Sequence, residues 1–297
     1  MEKNSILIAG GTGLIGRRLY NYFFEKGYNV SVLCRNPKES NEFYWNPDKN
    51  SIDIKALKNV THLINVTGQS IADKRWTSDR KIELIDSRIN PTNFLFKQVD
   101  HMPQLQHYIS ASGINCYGYE NPNHTYSESD VYGKDFVSQL VEKWEKAADQ
   151  FQSVCGVTKI RISPVLDEKG GIYSKMKKPI YLGLGTIIGT GEQPMSWIHR
   201  KDLVRLFEHV IKNNLFGTYH GAAGYVTNEE FTKSLANVLN RPIILPALNS
   251  TICHLIFGEM AEILLKGNKI STHKTEETGF DFLFPSLNQA MKHIATN

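Results

Sequence analysis

Ser5-Ile6-Leu7-Ile8-Ala9-Gly10-Gly11-Thr12-Gly13-Leu14-Ile15-Gly16 reads as an apolar strand, a glycine-rich turn and the start of a helix. That order builds a phosphate cradle out of backbone. Gly10 permits the tight turn leaving the strand, Gly13 lets a pyrophosphate approach the main chain, and Gly16 lets the helix lie close on the sheet. The helix, running on through Arg17 to Lys26, aims its free N–H groups and positive dipole end at the phosphates. Leu14, Leu19 and Phe23 stripe one of its faces and Gly27 stops it. A glycine triplet alone is a weak signal. The strand before it and the striped helix after it make the stretch a dinucleotide-binding turn, with Thr12, Leu14 and Ile15 completing the cofactor-facing loop.

The second strand selects the dinucleotide. Asn29-Val30-Ser31-Val32-Leu33 runs into Cys34-Arg35-Asn36-Pro37. An Asp or Glu at that strand end would bind the ribose 2′-hydroxyl of NAD. The strand carries none there. Cys34 is small and uncharged, and Arg35 brings a permanent cation whose planar fork suits a phosphate. The expected cofactor is NADP(H).

At 297 residues, with 41% hydrophobic and 22% charged content, the chain has room for one large domain and a smaller one. A net charge of +4 without a basic, aromatic-interleaved run gives no nucleic-acid surface. Cys34, Cys116, Cys155 and Cys253 are dispersed, with no metal-ligand spacing, and read as reduced thiols of a cytoplasmic protein. No signal peptide is expected ahead of the first strand. The longest apolar stretch, 252–265, is broken by charges and too short for a bilayer, so no membrane partner is expected.

Strands and helices then alternate. Strands are predicted at 62–66, 106–110 and 155–162, and helices at 78–99 and 134–150. The rhythm is that of an α/β, Rossmann-like doubly wound parallel sheet. Ligands bind such sheets beyond the carboxyl ends of the strands, which singles out Val66-Thr67-Gly68, 110–118 and 163–165. Residues 1–165 form the nucleotide-binding domain on this reading. Residues 166–297 form a smaller, mainly helical lobe, with about 200–225 returning to the first domain. A glycine-rich connection spans 170–191, followed by helices at 201–212, 228–239, 250–266 and 287–295 and a short strand at 218–220.

Several blocks carry a resemblance. The glycine turn, Ser110-Ala111-Ser112 leading to Tyr117-Gly118, and Trp197-Ile198-His199 before Asp202-Leu203 look like an extended short-chain dehydrogenase/reductase. Ile64 to Gly68, Ile71 to Trp76, Asp86-Ser87-Arg88, Leu182 to Gly185 and Met195 to His199 resemble more narrowly the YfcH-like branch of the NAD(P)-dependent epimerase/dehydratase superfamily. The tail, with Gly258-Glu259-Met260 and Glu277 to Phe280, is similar to that branch's C-terminal domain. The resemblance implies an NADP-binding fold in which Cys34 and Arg35 take the 2′-phosphate end. Val66 and Thr67 would lie along the adenosine ribose, Arg88 would offer a cation to the cofactor phosphates, and Val165 would line the nicotinamide side. Glu83 joins this set on weaker grounds, because residues five apart on a helix do not stack on one face.

Catalysis in short-chain reductases pairs a serine with Tyr-x-x-x-Lys, the lysine lowering the tyrosine pKa. Ser112, with Ser110 behind it, fits the first role. Tyr132 stands where the tyrosine belongs, yet the fourth residue after it is Phe136, and Lys134 falls on a different face. A literal match, Tyr173 to Lys177, lies within the glycine-rich connection and is set aside. His199 is a further acid–base candidate if it faces the cleft, against the plainer role of fixing its loop through a backbone bond. Two readings follow: an oxidoreductase or epimerase acting on a small carbonyl or hydroxyl compound, sugar-derived ones included, or an NADP(H)-binding sensor with little chemistry. No metal is expected, and a homodimer through the long helices is the fold-level expectation.

Overall fold

The computed structural model describes residues 4–121 and 123–296. Strand β1 (Ser5–Ala9) is buried from Ile6 onward and leads through the glycine turn into α1 (Leu14–Glu25). Leu19 and Phe23 are fully buried on the sheet, each contributing about 2 kcal/mol. The chain continues as β2 (Asn29–Cys34), β3 (Glu42–Asn46), β4 (Ser51–Ile52), β5 (His62–Asn65) and α2 (Ser78–Phe96). It then forms β6 (His107–Gly113), β7 (Thr125–Tyr126), α3 (Phe136–Asp149) and β8 (Gly156–Ile162).

Beyond β8 the chain leaves the sheet through β9 (Val165–Asp167), α4 (Gly171–Tyr181) and β10 (Pro194–His199). It returns as α5 (Arg200–Lys212) and β11 (Gly217–Gly221). Then come β12 (Gly224–Thr227), α6 (Asn228–Val238), α7 (Ser250–Phe257), α8 (Glu262–Leu265), β13 (Lys269–Ile270), α9 (His273–Glu277) and α10 (Leu287–Thr296).

The main sheet has the order β11-β8-β6-β5-β1-β2-β3-β4, and every pairing is parallel except β3 with β4. Alternate residues of one strand feed opposite cores. Ile6 and Ile8 pack under α1 and α5, while Leu7 and Ala9 pack under α2 and α3. The winding reverses between β1 and β5, so the crevice opens where the glycine turn sits. The smaller lobe packs α4, α6 and α10 against a three-stranded sheet of order β12-β10-β9.

Four local expectations change. Strands β3 and β4 were not marked by the sequence pattern, because Glu42 to Asn46 is short and only Trp45 in it is buried. The stretch 171–181, expected within a loop-rich connection, is a helix; Pro179 falls in its last turn and ends it. Tyr173 is fully buried in the lobe core. The single helix expected over 250–266 breaks at Gly258, whose φ of 62° places it in the left-handed region that ends α7. The lobe also carries a sheet that its glycine spacing did not announce. Among the described residues no helix is long and apolar enough to cross a membrane.

Four histidines among the described residues lie buried: His62, His107, His199 and His220. Burial lowers the pKa values of the first three to about 4, 3 and 3, with His62 acting further on His107 and His293 and Lys201 on His199, and it lowers that of His220 as well. These are bases neutral in the folded chain and protonated near ~6.5 when unfolded. The unfolded chain therefore binds more protons, and stability is complete above about pH 6.5 and falls through the window down to about pH 3–4. Melting temperature measured against pH should drop steeply below about pH 6. A flat profile down to pH 4 would contradict it.

Candidate functional site

The glycine turn is tight because Gly10 has φ 83°, and a Cβ there would press on the Val66 carbonyl and the Thr67 nitrogen at 3.0 Å. The ends of β1 and β5 are thereby locked edge to edge. At Gly16 a Cβ would overlap the Gly10 carbonyl oxygen and stand 2.6 Å from the Gly11 Cα, so α1 rests directly on the turn. Gly13 donates its N–H to the Gly10 carbonyl at 3.0 Å and stands at the N-cap of α1 without a capping side chain. No acidic residue occupies the first turn. Thr12 and Gly13 are exposed, so the N–H groups of this twelve-residue helix remain open to an anion. Leu14 and Ile15 are half-buried beside it, and Leu14 abuts the turn before α4.

At the end of β2, Cys34 is buried and Arg35 exposed, and among the described residues Arg35 makes no hydrogen bond or ion pair. One detail differs from the sequence reading: a carboxylate does reach this strand end, arriving from β3. The Glu42 Oε2 lies 3.9 Å from the Cys34 Sγ and accepts the Lys38 N–H at 2.7 Å.

At the end of β5, buried Asn65 fixes the next turn. Its amide donates to Thr92 and Tyr108 at 3.0 Å, and its Oδ1 accepts the Thr67 N–H at 3.1 Å and the Thr67 hydroxyl at 2.7 Å. Arg88 lies directly behind Gly68 and donates to the carbonyls of Leu84 at 2.9 Å and Gln69 at 2.8 Å. Burial, then the neighbouring Arg80, lowers its pKa to about 10. Arg80, which the sequence did not single out, is equally buried and donates to the Ser70 carbonyl at 2.8 Å. Glu83, its side chain half exposed, pairs with Arg80 at 2.9 Å rather than with Arg88. Two buried cations thus stand behind the loop at 67–70, and only Arg80 is paired with a carboxylate. Val165 is buried in β9, paired in register with Ile198.

Ser112 and Tyr132 meet on one acceptor. The Ser112 hydroxyl donates to Glu145 Oε1 at 2.5 Å and the Tyr132 hydroxyl to Oε2 at 2.8 Å. Arg161 grips the same carboxylate with its Nε and one Nη, at 2.9 and 3.1 Å. Its other Nη donates to Tyr117 at 2.7 Å, and Tyr117 in turn bonds His220, whose Nδ1 faces the Ser271 carbonyl at 2.8 Å. Burial pushes the Glu145 carboxyl up, but Arg161, Ser112 and Tyr132 together hold it below its usual range. Burial, then Glu145, pushes the Tyr132 phenol well above its usual range, opposite to what a catalytic lysine would do. Phe136 points elsewhere and meets Trp76 edge-on at 5.3 Å.

A cavity of about 360 Å³ opens between the start of α3 and the segment at 259–266, and Ser112, Tyr132 and Glu145 are not among its walls. Trp76, Tyr119, Lys134, Phe136, Glu262 and Ile263 are among its walls. The stretch 183–191 is pinned rather than open, since the Gly189 N–H donates to the Leu248 carbonyl and the Leu248 N–H to the Ile187 carbonyl, each at 2.8 Å. His199 is not among the cavity's walls. It is wholly buried, caps α5 by accepting the Lys201 N–H at 3.0 Å, and lies against Phe284.

With this geometry in place, comparison with known proteins settles the family. The profile of the NAD dependent epimerase/dehydratase family matches residues 6–220. The chain belongs to that family. A domain of unknown function, DUF1731, matches residues 250–294, the stretch holding α7 to α10. Mouse epimerase family protein SDR39U1 is 33% identical across 97% of this chain and 99% of its own length. A Mycobacterium tuberculosis epimerase family protein is 35% identical across 100% and 99%. The crystal structure of human SDR39U1 (isoform 2) with NADPH superposes with a TM-score of 0.89 at 31% identity, covering 99% of both chains. Family members are thus matched over the smaller lobe as well as the sheet.

Glu145, Arg161, Glu42 and Arg80 escaped the sequence reading. The only signal was a charge interrupting an apolar pattern, as Arg161 does between Ile160 and Ile162.

Proposed function

We propose that the chain binds NADP(H) across the β1–β5 crevice and uses it as an oxidoreductase or epimerase on a small carbonyl or hydroxyl compound. The observation carrying this is the uncapped N-terminus of α1, resting on the Gly10 turn at the point where the winding reverses. Solution of the similar human structure with NADPH supports the choice of dinucleotide. The backbone of 10–16 would hold the pyrophosphate, Arg35 the 2′-phosphate, Val66 to Gly68 the ribose side, and Arg88 would add a cation behind the loop. The cofactor supplies or accepts a hydride. Ser112 then orients the substrate oxygen, and Tyr132, once its hydroxyl turns from Glu145, passes that oxygen a proton when hydride is delivered; in the reverse direction the proton leaves the substrate hydroxyl by the same path.

A second reading keeps its own observation: both hydroxyls already donate to Glu145, and no lysine lowers the tyrosine. That arrangement favours a protein that binds NADP(H) and reports occupancy with little turnover.

Fluorescence titration of the wild type and Arg35→Ala tests the cofactor assignment. NADPH affinity should fall about tenfold in the variant while NADH affinity stays within about twofold, the loss expected for one charge-assisted phosphate contact. Equal effects on both nucleotides would remove Arg35 from the site. NADPH consumption with a panel of simple aldehydes and ketones then separates the two readings.

A further inference from the structure

Two opposite charges converge on the end of β2. The β2–β3 register sets Val32 beside Glu42 and Cys34 beside Tyr44, so the Glu42 side chain runs along the sheet edge toward Cys34. Its Oε2 ends 3.9 Å from the Cys34 Sγ and is held by the Lys38 N–H at 2.7 Å. The carboxylate is therefore oriented rather than loose. It occupies the neighbourhood where a carboxylate on β2 itself receives the ribose 2′-hydroxyl in NAD-binding folds of this class. Arg35, exposed and without a partner among the described residues, supplies the contrary charge from the residue after Cys34.

We infer that Glu42 sets cofactor selectivity, accepting the ribose 2′-hydroxyl of NADH and repelling the 2′-phosphate of NADPH, so that the protein uses both nucleotides. This rests on the NADP(H) reading above. A carboxylate and a phosphate a few ångströms apart at an exposed edge repel by about 1 kcal/mol, a fivefold effect on affinity. Arg35 offsets that repulsion without removing it, and the outcome is a modest preference where Arg35 alone would give a strong one. The effect depends on ionic strength, because the strand end is open to solvent.

The test is titration of NADPH and NADH into the wild type, Glu42→Gln and Glu42→Asp at low and high salt. Glutamine keeps an oxygen for the Lys38 N–H and removes the charge. It should bind NADPH about fivefold more tightly and NADH about twofold more weakly, with the gain shrinking at high salt. Glu42→Asp, its carboxylate withdrawn by one methylene, should shift the same ratio by a smaller amount and covers the case in which glutamine disturbs the edge. An unchanged NADPH-to-NADH ratio in both variants, or a shift toward NADH, overturns the inference while wild-type NADPH binding leaves the cofactor reading standing. Failure of the wild type to bind either nucleotide overturns both.

Discussion

Arg161→Ala should cost about 3–5 kcal/mol of stability and lower the melting temperature by roughly 10 °C. The reason is what it leaves behind. Glu145 is 1% exposed and its two oxygens accept from Arg161, Ser112 and Tyr132, with Lys159 no closer than 3.9 Å. Without the guanidinium a buried carboxylate retains only two neutral donors, and its desolvation is uncompensated. Tyr117 also loses the donor at 2.7 Å that orders its bond to His220, and with it a link from α3 through β8 to the segment before α9. The double variant Arg161→Met, Glu145→Gln should recover much of the loss, since removing both charges is far cheaper than stranding one. Denaturant titration of the two variants decides this. A loss under about 1 kcal/mol in Arg161→Ala would mean that water already reaches Glu145.

Gly16→Ala is the second large effect, and here the damage falls on binding. The added methyl overlaps the Gly10 carbonyl oxygen and approaches the Gly11 Cα to 2.6 Å, backbone atoms that cannot rotate away. Relief requires α1 to lift from the turn, at a cost of about 1–3 kcal/mol in overpacking. It also carries the helix N–H groups out of line with the pyrophosphate, so NADPH affinity should fall about a hundredfold, near 2.7 kcal/mol. Gly13→Ala provides the contrast. Its Cβ would meet only the Gly10 oxygen at 3.3 Å, and its φ of −74° suits any residue. The fold should melt as the wild type does, with any loss confined to the nucleotide. If Gly16→Ala bound NADPH normally, the close seating of α1 would not be what shapes the cradle.

The parallel sheet was legible because its signals are local. An apolar run, a turn residue and a striped helix sit within the few tens of residues that one βαβ unit spans, as at Ser5 to Gly27. The ends of the strands, and thus Thr67, Ser112 and Cys34, came from the same pattern. What stayed hidden was made by strangers in the chain. Glu145 and Arg161 belong to different elements and neither looks unusual on its own face. Glu42 reaches Cys34 only because β3 lies parallel to β2 in one register. His199 shows the converse: a motif beside Trp197 suggested chemistry, while burial against Phe284 made it a cap. Helix α4 was concealed by its own composition, since Gly170-Gly171 and Pro179 are loop residues by type and only tertiary packing of Tyr173 and Ile180 overrides them.

The way the chain shuttles between its two halves has a consequence for the gene that encodes it. After β8 it passes to the lobe, returns as α5 and β11, leaves again at β12, and comes back to pair β13 with β7 and to set Thr275 on the His220 carbonyl at 2.9 Å. Arg18 of α1 is meanwhile clamped on Asp167 of β9 at 2.8 and 2.9 Å. No single cut yields two self-sufficient pieces. A recombination event that swapped the last hundred or so residues would have to replace part of the nucleotide-binding sheet with them, so in this lineage new specificities should come from substitutions along the cleft and not from exchange of a module.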